Sequence, residues 1–188
     1  MRKIRLVAVP LVLMCVAGLS GCVARYRVPS DAPYASVRLM TTTDDNTTFS
    51  VVDPAACPTP PRSLVLAGMG KHLAAMGRDT QLAMAGSSPE PASRTRERKV
   101  GIGKRLYVAV TSTAAPPAEE LRCAAGVSFI PQAGGQYEIR YTRNESASQC
   151  SARVLRLQPQ PDGGAAVVQE PSQQGFRALR KEYVCEAL

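Results

Sequence analysis

The sequence predicts a mainly β protein: an antiparallel β-sandwich with one or two short helices, braced by disulfides. Three observations lead there. Short runs alternate apolar and polar residues, Pro and Gly turns separate those runs, and four cysteines besides Cys22 follow an N-terminal secretory signal.

The signal comes first. Arg2, Lys3 and Arg5 precede an apolar run from Leu6 to Leu19, closed by Ser20 and Gly21. Charged, then apolar, then small is the order of a cleavable signal peptide, here residues 1–21. The run is shorter than the roughly twenty residues that a helix needs to cross a bilayer core, so a permanent span is the lesser reading. Removing residues 1–21 takes three of the 23 Lys and Arg and none of the 15 Asp and Glu, which leaves a net charge of +5. So diffuse a balance suits contact with anionic lipids or polymers. It lacks the local basic footprint of a nucleic-acid binder.

Residues 22–35 carry Pro29 and Pro33 and are expected to form an extended tether ahead of a single domain, residues 36–188. Val37–Met40 and Phe49–Val52 flank a polar stretch containing Asp44, Asp45 and Asn46, which reads as a first hairpin with a polar tip. Prolines around Cys57 place it in a loop or at an edge. In residues 64–85, Met69, Leu73 and Met76 have helical spacing interrupted by Gly68, Gly70 and Gly77, so at best one short helix is expected there. Residues 86–99, with Ser, Pro and Arg in quantity, read as an exposed loop.

The clearest alternation follows. Leu106, Val108 and Val110 share one face of a strand, as do Cys123, Ala125, Val127 and Phe129 of the next. Pro131 to Gly135 makes a turn, and Tyr137, Ile139 and Tyr141 form the buried face of a strand expected to return beside its predecessor. Residues 150–157 and 165–169 supply further strands, and the type of residues 172–185 stays open.

Besides Cys22, the four cysteines Cys57, Cys123, Cys150 and Cys185 allow three pairings, and an oxidising compartment favours two disulfides. The strand reading puts Cys123 and Cys150 at one end of the sheet, which favours Cys123 with Cys150 and Cys57 with Cys185. A disulfide needs Cα atoms within about 7 Å and neighbouring strands lie about 4.8 Å apart, so the strand from Cys150 must curl toward a facing sheet. Zinc binding lacks any CxxC pair and has a single histidine, His72.

Leu19-Ser20-Gly21-Cys22 resembles the lipobox of bacterial lipoproteins at all four positions. The resemblance implies cleavage before Cys22 and acylation of its sulfur and amino group; with Val23 rather than Asp after the cysteine, it implies the outer membrane. Acyl chains contribute about 0.8 kcal/mol per buried methylene, so several chains anchor almost permanently. The stretch Cys123 to Cys150, with VSFIPQAGGQYEIRY at its centre, also resembles small envelope lipoproteins with transthyretin-like or immunoglobulin-like sandwiches.

No residue grouping names an activity. His72 is the only imidazole for acid–base work and no GxSxG frames a serine, so an envelope hydrolase with His72 as base is the alternative to a non-enzymatic role. Gly68-Met69-Gly70-Lys71 lacks the spacing of a phosphate loop. Arg94, Arg96, Arg98, Lys99, Lys104 and Arg105 form the densest charge on the chain and are the candidate patch for lipid headgroups or an envelope partner. The expectation is therefore an outer-membrane lipoprotein with a binding or structural role toward an envelope protein or polymer. It needs no cofactor or metal. A subunit of a secretion or assembly apparatus is a further alternative.

Overall fold

The computed structural model describes residues 24–52, 63–70, 81–114, 122–144 and 149–178. Among them are ten strands: β1 (Tyr34–Thr41), β2 (Asn46–Val52), β3 (Ser63–Met69), β4 (Thr95–Gly101), β5 (Leu106–Thr113), β6 (Arg122–Phe129), β7 (Gln136–Arg143), β8 (Cys150–Pro159), β9 (Ala165–Gln169) and β10 (Gln174–Phe176). They form two five-stranded sheets, β4-β1-β7-β8-β9 and β10-β6-β5-β2-β3. The second sheet is antiparallel throughout. The first holds one parallel pair, β1 with β7, which departs from the wholly antiparallel expectation.

One core fills the space between the sheets. Val37 and Leu39 from β1, Tyr137, Ile139 and Tyr141 from β7, and Val154 from β8 meet Phe49 from β2, Val108 and Val110 from β5, and Val127 and Phe129 from β6, all fully buried. The alternation read from β5, β6 and β7 is what puts these side chains on inner faces. Phe129 and Tyr137 stack across the gap with ring centroids 4.9 Å apart. The Tyr141 hydroxyl lies 2.7 Å from Ser112 Oγ on the opposite sheet.

Two expected hairpins are arches instead. β1 and β2 lie in different sheets, as do β6 and β7, so the chain at Thr42–Asp45 and at Ile130–Gly135 crosses the core rather than turning within a sheet. That crossing resolves the disulfide geometry. Arg143 pairs with Cys150 within the first sheet, while Cys123 sits opposite Ser112 in the second, so Cys150 faces Cys123 across the sandwich gap. The bond forms with Cα atoms 6.1 Å apart, as expected from the sequence. Cys22, Cys57, Cys185 and His72 lie outside the described residues.

The expected helices are absent among the described residues, where a three-residue 3₁₀ turn, Ala92–Arg94, is the one helical element. The apolar residues from Leu64 to Met69 pack as strand β3, because Leu66, Ala67 and Met69 are buried against the shared core. The exposed loop expected over residues 86–99 is a loop only in its first part; β4 begins at Thr95. No described helix is long and apolar enough to cross a membrane.

The expected tether is also partly fixed. Val65 N–H donates to Ala24 O and Tyr26 N–H donates to Val65 O, both at 2.9 Å, so this segment runs parallel to β3. The Tyr26 hydroxyl accepts from Gly101 N–H at 3.0 Å, which ties the segment to β4 of the other sheet as well.

Candidate functional site

The basic run from Arg94 to Arg105 does not converge on one patch. Arg94 pairs with Asp44 at 2.8 Å and with Glu90 at 3.3 Å. Its hydrogen bond to Asp44 is the main reason its pKa rises above the ordinary arginine value. Arg96 is buried and donates to the carbonyls of Ala92 and Thr95 at 2.6 and 2.7 Å. Arg98 points between the sheets and donates from Nε to Leu66 O at 3.0 Å, closing the β3–β4 side of the sandwich. Lys99 lies over the Tyr34 ring at 3.9 Å. Arg105 donates to Ser172 O at 2.8 Å and to Ser128 Oγ at 3.3 Å. Lys104 is exposed. Alternation along β4 sends Arg96 and Arg98 to the inner face and Lys99 to the outer one, so proximity in sequence does not become a shared surface.

A network on the outer face of the first sheet went unread in the sequence. Arg38 of β1 is 4% exposed and reaches Glu138 of β7 at 3.4 Å and Glu97 of β4 at 3.5 Å. Its Nη2 also donates to Gly86 O at 2.8 Å. Glu138 pairs in turn with Arg140. Residues 81–91 lie across this face: Leu82 N–H donates to Glu97 and Ala85 N–H to Gln136 Oε1, both at 2.6 Å, and Met84 is buried. Arg38 Nε has no partner among the described atoms, beside a cavity of about 230 Å³. Polar residues at alternate positions of β1, β4 and β7 were the available signal. Their convergence depends on sheet order, and alternation alone does not carry that.

The larger concavities flank the disulfide. One, of about 720 Å³, is lined by Arg122, Cys123, Thr142, Arg143, Asn144 and Gln149 among others. A second, of about 510 Å³, shares Ala124, Cys150 and Ser151 with the first and continues along Ala125, Gly126 and Ala152 to Phe176. Small side chains from β6 and β8 keep this groove open. Gly126 is required at its floor, because an added Cβ would come within 2.4 Å of Phe176 O. Among the described residues β10 pairs with Gly126–Ser128 of β6, and β5 pairs with β6 along its whole length. At the rim Arg143 is held by Asp45, and Thr142 lies 2.8 Å from Ser151.

Neither protein-family models nor curated proteins match this chain.

The groove offers hydrogen-bonding hydroxyl and amide groups and a guanidinium held in place, which suit the binding of an extended polar chain. No described cluster of three or more His, Cys, Asp and Glu is placed to hold a metal ion.

Proposed function

We propose that this chain is a non-enzymatic lipoprotein of the bacterial envelope, anchored through Cys22 in the outer membrane, whose β-sandwich binds a protein or polymer partner. The observation that carries this reading is the run Leu19-Ser20-Gly21-Cys22 closing a signal peptide, two residues before the segment that is hydrogen-bonded to β3. The disulfide adds support, since such bonds persist in oxidising compartments. The groove along β6 and β8 is the surface assigned to the partner. A hydrolytic role would rest on His72, and no described residue around the groove supplies an imidazole to replace it.

The test is the intact mass of the protein purified from membranes, before and after reduction. Acyl mass on an N-terminal Cys22, with a gain of two hydrogens for each disulfide reduced, is expected. An unmodified chain would overturn the anchor. The binding role is tested by a photo-crosslinking residue at Asn144 on the groove rim. Covalent capture of one envelope component from this position and not from Val167 is expected, and equal capture from both would reject the groove.

A further inference from the structure

The two ends of the sandwich are not equivalent, and the N-terminal segment identifies which one meets the membrane. Ala24–Tyr26 runs parallel to β3, so Ala24 is the end of this segment nearer to Ser63. Cys22 is two residues before Ala24, no more than roughly 7 Å of extended chain. Ser63 is opposite Val52, and Val52 is opposite Tyr107, so this is also the end where β5 begins. The connection Ile102–Arg105 lies there, bonded from Gly103 N–H to Pro131 O at 3.1 Å, and Gly134 N–H donates to Tyr34 O at 3.0 Å. The loops ending at Tyr34, Arg105 and Gly135 thus form one surface.

We infer that this surface rests on anionic lipid headgroups, an orientation that depends on the lipoprotein reading above. Arg25, Arg27 and Lys104 are exposed, and none forms an ion pair with a described residue. Ile130 and Tyr34 are 38% and 39% exposed beside them, among the few large apolar side chains left open to solvent. The loop ending at Tyr34 also carries the exposed Asp31, so three cations against one carboxylate, with an exposed aliphatic and an exposed tyrosine, make a net-positive membrane-interface surface. A free spacer would let the domain tumble above the bilayer. Hydrogen bonding of Ala24 and Tyr26 to β3 leaves almost no spacer, so acylation of Cys22 brings this end down and turns the groove by Cys123 and Cys150 away from the membrane.

The experiment uses the full acylated protein in phosphatidylcholine vesicles with and without phosphatidylglycerol, its acyl mass checked first. An environment-sensitive fluorophore is introduced as a non-natural amino acid at Ile130 or at Asn144, and quenching by headgroup-labelled nitroxide lipid is read. Strong quenching at 130 and little at 144 is expected with the anionic lipid. Arg27→Gln and Lys104→Gln should each lower the seated-to-lifted ratio about fivefold, since a cation near such a surface is worth about 1 kcal/mol. The effect should fade by about 0.5 M salt. An acylated protein quenched equally at both positions, or more at 144, overturns the orientation and leaves the anchor intact. A protein without acyl mass overturns both.

Discussion

The end of the sandwich that holds the disulfide and the end reached by the N-terminal segment solve the same problem differently. At the disulfide end, β6 and β8 are joined covalently, and the loop cations are neutralised: Arg94 by Asp44 and Arg143 by Asp45. At the other end, closure relies on backbone hydrogen bonds of Ala24, Tyr26, Val65, Gly103 and Gly134 and on the Tyr26 hydroxyl accepting from Gly101 N–H, while Arg25, Arg27 and Lys104 form no ion pair with a described residue. Loop cations are paired at one end and, among the described residues, left without ion pairs at the other.

Substitutions should therefore act unequally. The largest loss is expected for Cys123→Ala with Cys150→Ala: closing a loop with a sequence separation of 27 contributes about 3–4 kcal/mol through the unfolded chain, read as a shift of the urea midpoint. Asp45→Asn should cost about 2 kcal/mol, because it deprives the nearly buried Arg143 of its carboxylate; a double-mutant cycle with Arg143→Ala should recover most of that as coupling. At the opposite end Tyr26→Phe removes one hydrogen bond, about 1 kcal/mol, and should accelerate amide exchange at Gly101 more than at Arg122.

Tyr141 adds a pH dependence confined to the disulfide end. Burial raises its pKa above the ordinary value of 10.0, against an opposing hydrogen bond from Ser112. The folded state keeps the phenol proton after the unfolded chain has lost its own. This contribution is complete below pH 10 or so and is lost as pH rises through the folded pKa. Tyr141→Phe should flatten the alkaline limb of the stability profile, on top of a pH-independent loss of about 1 kcal/mol for the hydrogen bond to Ser112. The smallest effect is expected for Lys104→Gln, within about 0.5 kcal/mol, since its side chain is exposed. A larger loss there would show that this end also uses charge for folding and would remove the contrast.

The strands with clean alternation were legible in the sequence. β5, β6 and β7 bury the residues that their periodicity assigns to one face, and Cys123 bonds to Cys150 as the spacing suggests. Sheet membership was not legible. A hairpin and an arch flank their turns with the same alternation, so nothing in Asp44-Asp45-Asn46 or Pro131–Gly135 says whether the chain stays in its sheet or crosses the core. β4 was hidden for a different reason. Its inward residues include the buried Arg96 and the half-buried Arg98, whose hydrogen bonds are accepted by carbonyls of Ala92, Thr95 and Leu66, and the alternation pattern does not show such partners. The groove needed β6 and β8 to be brought face to face. Only the cysteines hinted at that.

The parallel pairing of β1 with β7 sets the order in which the molecule can be completed. Ser36 finds its parallel neighbour at Gln136 and its antiparallel one at Lys99. The first described strand must therefore wait for Thr95–Gly101 before one edge is satisfied and for Gln136–Tyr141 before the other is. Until then Val37, Leu39 and Met40, all buried at the end, are exposed on an unpaired strand. Pairings so far apart in sequence slow folding and lengthen exposure to aggregation. A nascent chain of this design thus depends on whatever shields that first strand until β4 and β7 arrive.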